Sequence, residues 1–356
     1  MGTTAITFND EVLTAAALNY VNDPKNMREI TYFGYDHALA MKENLAGGEV
    51  IIPRWKTKRH STPSGLDNGY ELPNLSVETI YTPGVQRPFW VVQPVLISAI
   101  DETKFGGSGK LLDVLKDRVD MVRDHMSANG QAALFRGPAA SGSWGGVTQY
   151  TGLVPLNGTD SSTGFLEAAT SGTNSIHTVT KATYPATTHP RFHNYWRDVG
   201  SAAGVNLLNA LHGGVLTMRL RDQGGMKPSE YRFYTGITPG EFMKRVLRPL
   251  ETYASEKELD DGKRMALVFA GAPMYPIADM PTNGASTATQ RYSIIGMNWK
   301  RSVRLHLYNK WQGAMTFPFA KVPASAGVSV ALFGIAGNAI GDEMGASILI
   351  TNAETF

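Results

Sequence analysis

The pattern of hydrophobic and polar positions between residues 89 and 137 predicts a strand followed by one long helix. The apolar run from Phe89 to Ile100 has the length and the composition of a strand. After a polar turn, apolar residues recur at alternating spacings of three and four, which places them on one stripe of a helix. This stripe consists of Leu112, Leu115, Val119, Val122 and Met126.

The predicted helix runs from Gly109 to Arg136 and is unusually long. Ser108 is a candidate N-cap, and the Gly-Pro pair at 137 and 138 is a stop signal. At ~1.5 Å per residue the helix would be roughly 40 Å long, whereas an average helix has about 11–12 residues. A strand that leads into one outsized helix is typical of a scaffold element rather than of a catalytic core.

The residues before this unit predict an arm and a polar loop. Residues 1–48 contain two short helical stretches, near Glu11 to Tyr20 and near Tyr35 to Leu45. Residues 49–88 place two strand-like ends around the polar stretch from Lys56 to Asn74. Loops of this length are usually functional or disordered. Two interpretations stay open: a mobile surface loop, and an extended hairpin that becomes ordered across a neighbouring subunit.

The pattern after the long helix mixes helices and strands. Helical character returns between His189 and Arg221, and a capping-box pattern at Thr238 predicts a further helix through Tyr253. From Ala266 onward, short strand candidates alternate with turn residues. The sequence therefore predicts an α+β fold, with neither a regular βαβ alternation nor an internal repeat.

The composition indicates a surface that is partly covered. Charged residues make up 18% of the 356 residues, below the ~25% that is usual for soluble domains, and hydrophobic residues make up 42%. Contact with sister subunits would bury the uncharged surface, although a large and well-packed monomer is the alternative. The formal net charge of +2 does not indicate a dedicated nucleic-acid binder.

Absent features narrow the function classes further. The chain has no cysteine, which excludes disulfides, thiolate catalysis and cysteine-ligated metals. Its first residues lack the pattern of a signal peptide, and no apolar run reaches the ~18–20 residues of a membrane span. We therefore expect a protein that is made in the cytoplasm and has no membrane partner.

The motifs that could carry chemistry are incomplete. The stretch at Ser141 to Gly145 lacks the first glycine of a nucleophile elbow. His189 and His193 have a spacing that could serve a metal on a helix, but the intervening Pro190 favours packing in an aromatic cluster. We assign no catalytic, cofactor-binding or metal-binding residue. A cytoplasmic hydrolase, with its site among these histidines and the loop 141–146, is the alternative from a different class.

The order of the elements resembles that of a known family. An arm and a long polar hairpin precede the stretch "WVVQPVLIS" from Trp90 to Ser98, and the long helix then ends in "ALFRG" from Ala133 to Gly137. This layout resembles the major capsid proteins of tailed bacteriophages, which have the Hong Kong 97-like fold. The resemblance covers the whole chain in layout and is most specific between Val50 and Gly137.

The resemblance implies a division of the chain. Residues 1–48 would be the N-terminal arm, and residues 49–88 the E-loop, which lies over the adjacent subunit. Residues 89–194 would form the peripheral domain with its spine helix at 109–136, and residues 195–320 the axial domain. Residues 321–356 would be C-terminal strands, with a return to the peripheral domain as one option. The implied E-loop contacts with a neighbouring subunit are Arg54, Lys56, Lys58, Arg59, Tyr70 and Glu71.

The implied function is structural. As a major capsid protein, the chain would assemble as hexamers and pentamers into an icosahedral shell around packaged double-stranded DNA. It would be no enzyme and would need no cofactor. Its partners would be further copies of itself, a separate scaffolding protein, a portal and, as a further candidate, a decoration protein. It would assemble in the host cytoplasm and reside in the virion. An encapsulin-type nanocompartment shell is the alternative that shares the fold.

Overall fold

A computed structural model provides the structure of the chain. It describes residues 10–22, 32–48, 50–56, 81–104, 108–136, 153, 165–166, 175–176, 179–180, 183–185, 187, 189–199, 207–221, 230–236, 267–277, 294–322 and 328–351. The fold is α+β, as the sequence predicts. None of the described helices is both long enough and apolar enough to cross a membrane.

The long helix is the dominant helical element and extends over α4 (Ser108–Arg136), close to the predicted range. Its stripe residues Leu115, Val119, Val122 and Met126 are buried, and Leu111 is buried with them. Leu112 is only half-buried, because it lines an open groove between α4 and the N-terminal helix α1 (Asp10–Asn22). Near its C-terminal end the helix is buried all round from Gln131 to Phe135, which is the pattern of a helix that enters the core.

A four-stranded sheet packs against this helix. Its order is β1 (Glu43–Leu45), β12 (Val303–Lys321), β13 (Val328–Gly341) and β4 (Phe89–Ser98). Two short antiparallel pairs lie outside this sheet: β2 (Arg54–Lys56) with β3 (Tyr81–Pro83), and β5 (Ser175–Ile176) with β6 (Val179–Thr180). The short helix α3 (Ala99–Lys104) follows β4. Helix α4 contacts β4, and α1 contacts both β12 and α4. One face of this sheet therefore lies on the main hydrophobic core.

The observed extent of strand β12 differs from the sequence prediction. The sequence suggests two strands with a turn between them, whereas β12 is continuous from Val303 to Lys321. Its register against β13 shifts between Leu307 and Gln312 and again before Ala314. Gly313 lies within this irregular stretch with φ of +82°, a value that favours glycine. The polar residues that predicted a turn between two strands therefore lie in a β-bulge within one continuous strand.

A second sheet contains six strands and is covered on both faces. Its order is β7 (Tyr195–Asp198), β14 (Ser347–Thr351), β11 (Ile294–Met297), β8 (Arg232–Thr235), β10 (Ala272–Pro276) and β9 (Leu267–Phe269). Helix α5 (Leu207–Arg221) packs against one face and forms a smaller core there. The opposite face joins the main core, where Phe135 at the end of α4 contacts the ring of Tyr234.

Two predicted helices are wrong in part. The second helix of the arm, α2 (Phe33–Ala40), ends before Leu45, and Glu43–Leu45 instead pair in parallel with β12. Pairing with a sheet edge here outweighs the local helical pattern. Tyr195–Asp198 likewise form strand β7 on β14 rather than part of a helix, which suits the strand preference of Tyr195 and Trp196. The helix predicted to begin at Thr238 lies outside the described residues.

The two sheets divide the chain differently from the implied boundary at residue 320. Residues 303–320 belong to β12, in the sheet that packs on α4. Strand β13 also lies in that sheet, but β14 lies in the six-stranded sheet. The chain therefore leaves the second sheet after β11, builds a long hairpin in the first sheet, and returns to the second sheet at its end.

Candidate assembly surface

The base of the polar hairpin is the part of the implied contact loop that the structure describes. Strands β2 and β3 pair antiparallel, and Ile51 pairs with Gln86 below them. The side chain of Arg54 is exposed on β2, and Lys56 is described only by its backbone at the end of that strand. Lys58, Arg59, Tyr70 and Glu71 lie outside the described residues. The structure thus brings the two ends of the loop together and presents one of the predicted basic residues to solvent.

The same hairpin base exposes apolar side chains. Val50, Ile52 and Val85 are all exposed, whereas Ile51 and Pro53 between them are buried. Alternation of this kind is expected of an extended segment with one face on the protein. Here the outward face is apolar at Val50, Ile52 and Val85 and becomes basic only at Arg54, so this segment exposes an apolar surface.

The outer face of the four-stranded sheet is a second exposed apolar surface. On β4 the inward residues Phe89, Val95 and Ile97 are buried. The outward residues Trp90, Val92 and Leu96 remain 53%, 42% and 47% exposed, and Phe317 on β12 remains 49% exposed. Antiparallel sheets with one solvated face usually alternate apolar and polar residues. An apolar outer face is therefore the pattern of a sheet that is covered in its working state.

Aromatic rings organise this outer face. Trp90 stacks on Tyr308 with ring centroids 5.5 Å apart, and the edge of Trp311 meets Trp90 at 4.9 Å. Trp311 in turn contacts Phe317 at 5.6 Å. Gly334 makes room for this arrangement, because a Cβ at that position would lie 2.5 Å from the Trp311 ring. The rings form a preorganised surface, which loses little side-chain entropy when a partner covers it.

An ion pair fixes the end of β4 to the long helix. The Arg118 guanidinium donates to Asp101 Oδ2 at 2.9 Å and also to the Leu96 carbonyl. Asp101 additionally accepts from the backbone N–H and the hydroxyl of Ser98. The hydrogen bond from Arg118, supported by those from Ser98, lowers the pKa of Asp101 to about 2 although burial opposes the shift. The carboxylate is therefore ionised at neutral pH and holds three elements together.

The arm is anchored to the helix by tyrosine–aspartate hydrogen bonds. Tyr20 donates to Asp120, and Tyr32 donates to Asp124 one helical turn later at 3.0 Å. The bond to Asp120 is the main cause that raises the pKa of Tyr20 to about 12. At the start of α1, Ser329 donates to the Asp10 carboxylate at 2.5 Å. These contacts place the arm across both α4 and the sheet.

A charged cluster fastens β1 to the sheet. Arg304 pairs with Glu43 at 3.0 Å and with Asp342, so one guanidinium links β1, β12 and the end of β13. His306 lies on the same face with its Nε2 3.8 Å from the Glu43 carboxylate. Burial lowers the pKa of His306, while Glu43 and Asp342 act in the opposite direction. The cluster therefore holds β1, β12 and the end of β13 together within one subunit.

The histidines of the hydrolase alternative occupy a packed environment. His193 is buried, and its Nε2 donates to the Tyr184 carbonyl. The rings of His189 and Phe192 both meet Tyr184 edge-on, at 5.2 and 5.6 Å. The loop 141–146 lies outside the described residues. The aromatic packing favoured by the sequence is thus observed, and within the described part of the chain no three metal-ligating side chains come together.

Sequence reasoning missed the surface on β4 and the anchors of the arm. An uninterrupted apolar run does not reveal that only one of its two faces is buried, because that depends on the order of strands in the sheet. Tyr20 and Asp120 are a hundred positions apart, and nothing local marks them as partners. No signal in the sequence alone could have found this surface, because the position of β4 at the edge of the sheet is known only from the strand order.

Comparison with solved structures identifies the fold. The chain is similar to a capsid chain of cyanophage A-1(L), with 12% sequence identity and a TM-score of 0.55 over 94% of this chain and 99% of that one. It is also similar to the capsid chain of an empty GTA particle, with 14% identity and a TM-score of 0.50 over 97% and 99% of the two chains. No known sequence family and no curated protein matches the chain in sequence. The chain has the Hong Kong 97-like fold of these capsid chains, which confirms the fold that the sequence resemblance implied.

Proposed function

We propose that this chain is the major capsid protein of a tailed bacteriophage and assembles as hexamers and pentamers into an icosahedral shell. The observation that supports this most directly is the shared fold with two capsid chains over nearly the full length of all three. Exposed apolar surfaces at the hairpin base and on the outer face of the first sheet agree with a subunit that has several neighbours. Modest interfaces suffice in such a shell, because symmetry repeats each contact many times.

The elements take roles within this proposal. Helices α1 and α2 with β1 form the N-terminal arm within residues 1–48, and the hairpin of residues 49–88 forms the E-loop. Helix α4 is the spine helix, and it belongs with the four-stranded sheet to the peripheral domain. The six-stranded sheet with α5 forms the axial domain, where Leu216 and Leu220 are exposed on the outer side of the helix. The axial role thus excludes residues 303–320, which lie in the other sheet.

The loop residues are proposed to contact the adjacent subunit. Arg54 is exposed at the base of the hairpin, and Lys56, Lys58 and Arg59 follow it in the sequence. Together with Tyr70 and Glu71, they would supply polar contacts to the apolar surfaces described above. Exposed ion pairs contribute only about 0–1 kcal/mol each, so their main role would be to select the orientation of the neighbour.

The remaining partners follow from the same role. The shell would enclose double-stranded DNA without sequence specificity, and a net charge of +2 suits a lining that does not hold the DNA tightly. A separate scaffolding protein, a portal and a decoration protein are the proposed partners. The chain would assemble in the host cytoplasm, reside in the virion and catalyse no reaction.

Expression of the chain alone tests the proposal. We expect closed shells or rings of subunits by negative-stain electron microscopy, with the corresponding mass by light scattering. A monomer at every concentration, with an activity that depends on His193, would contradict the shell and support the hydrolase. Native particles that enclose an enzyme instead of DNA would assign the chain to an encapsulin-type compartment.

A further inference from the structure

The direction of backbone groups along β4 can be read from two hydrogen bonds. The Ser98 N–H donates to Asp101 Oδ2 at 3.0 Å, so it points away from β13. The Leu96 carbonyl accepts from Arg118 and has the same direction. The ladder between β4 and β13 keeps one register from Phe89 to Ser98. Because backbone directions alternate along an antiparallel strand, the N–H and carbonyl groups of Trp90 and Val92 also point outward.

Among the residues that the structure describes, the outer edge of β4 is hydrogen-bonded in one half and unpaired in the other. Asp101 and Arg118 satisfy the outward groups near Ser98 and Leu96. Pro94 has no N–H that could be left unpaired, and an edge strand is a position at which sheets tolerate proline. Within the described residues, no hydrogen bond from outside the sheet reaches the outward groups of Trp90 and Val92, and β4 has no strand on that side. This half of the edge offers two donors and three acceptors in the spacing of a strand.

We propose that a second copy of this chain adds an extended strand to the edge of β4 from Trp90 to Pro94. This inference rests on the proposed function, in which copies of the chain contact one another. Unpaired strand edges are templates for this kind of backbone pairing. An incoming strand would end at Pro94, because the missing N–H and the Arg118–Asp101 pair close the edge beyond it.

The side chains beside the edge favour a copy of the same chain as the occupant. Trp90 and Val92 present an apolar surface to the incoming strand, and they need an apolar partner. The chain itself exposes extended apolar residues elsewhere, at Val50, Ile52 and Val85. A contact between two different surfaces of the same chain is a head-to-tail contact, and such contacts form rings where the rotation between copies closes. One sequence thus supplies both halves of the interface.

Residue-resolved hydrogen exchange tests the added strand with internal controls. In dilute, unassembled subunits, the amides of Val91 and Gln93 should be protected by β13, whereas those of Trp90 and Val92 should exchange freely. On assembly, exchange at Trp90 and Val92 should slow by about tenfold or more, and exchange at Val91 and Gln93 should stay slow. Assembled shells in which Val92 still exchanges freely would overturn the inference while leaving the proposed function intact.

A backbone variant provides the second measurement. Val92→Pro removes the outward N–H but no bond to β13, and proline at an edge also suits the extended conformation of the preceding residue. Val92→Ile is the matched control, since it keeps the N–H and an apolar side chain. We expect Val92→Pro to raise the concentration for half-association about tenfold above the control. Equal association of the two variants would contradict the added strand. If Val92→Pro unfolds the subunit, the exchange result on the parent chain decides.

Discussion

The two sheets of this protein use their faces differently. In the six-stranded sheet, neighbouring residues alternate between two cores: Ile294 packs with α5, whereas Ile295 packs in the main core. In the four-stranded sheet, Val95 packs in the main core, whereas its neighbour Leu96 is exposed. The first arrangement is complete within one chain. The second leaves an apolar face exposed, and under the proposed function this contrast separates the residues that fold the subunit from those that would join it to others.

The largest expected effect is a charge on the buried side of the long helix. Val119→Asp places a carboxylate where the parent side chain is fully buried, on the side of α4 that faces α1. Burial of an unpaired charge should destabilise the subunit by roughly 4 kcal/mol and abolish soluble expression. Met121→Asp is the control on the same helix, because Met121 is exposed and should tolerate the change. Soluble yield and urea midpoints of both variants provide the measurement, and equal values would place Val119 at a solvent-facing position.

Removal of the polar loop should separate assembly from folding. Deletion of residues 56–74 removes only Lys56 from the paired ends of the hairpin and leaves all residues of the four-stranded and six-stranded sheets in place. We expect a subunit with unchanged helix content that forms no stable shells, since the loop is proposed to contact a neighbour. Circular dichroism reports the fold, and electron microscopy reports assembly. Normal shells from the deletion variant would remove the loop from the list of intersubunit contacts.

The contrast between the sheets can be measured with two similar truncations. Ile295→Ala deletes a fully buried side chain in the second sheet and should lower the free energy of unfolding by roughly 3 kcal/mol. Leu96→Ala deletes an exposed side chain in the first sheet and should cost less than about 1 kcal/mol. The second variant should nevertheless weaken association, which the first sheet is proposed to carry. Urea titrations and light scattering separate the two effects. An equal loss of stability would show that the outer face is covered within the subunit.

Much of the fold could be predicted from sequence, but the partners of its elements could not. The long helix was predictable because its apolar stripe persists over many turns between two termination signals. Strand β12 was predicted as two strands, because the polar residues around Lys310 resemble a turn until a bulge accommodates them. The end of α2 and the strand β7 were missed because pairing with distant strands decides them. Of the implied loop contacts, only Arg54 has a described side chain, and its partner would be another molecule.

The ion pair at the end of β4 should give a dependence of stability on pH. The pKa of Asp101 falls from 3.8 to about 2 in the folded chain, chiefly through the hydrogen bond from Arg118. A lowered pKa adds stability above the unfolded value, and this contribution is lost as pH falls from about 4 toward 2. Asp101→Asn should therefore cost on the order of 1–2 kcal/mol at pH 7 and almost nothing near pH 2. Asp113→Asn is the control, since Asp113 is exposed and its ion pair with Lys116, at 3.7 Å, is exposed as well. A difference between the Asp101 variant and the parent that does not change with pH would contradict the role of the ionised carboxylate.

The smallest effect concerns the anchor of the arm. Tyr20→Phe keeps the ring and removes the hydroxyl that donates to Asp120, so it should cost about 1 kcal/mol at neutral pH. Because this bond raises the pKa of Tyr20 to about 12 from 10.0, its contribution is complete below pH 10 and declines as pH rises toward 12. The urea midpoints of the parent and the variant should therefore converge at high pH. Tyr32→Phe, which removes the neighbouring bond to Asp124, provides an independent comparison.

Tyr20 lies on α1 and Asp120 on the long helix, so the bond joins the arm to the helix on which the four-stranded sheet packs. If the bond acts chiefly on the arm, hydrogen exchange should accelerate most in α1, and exchange in β11 should accelerate by no more than the loss of global stability accounts for.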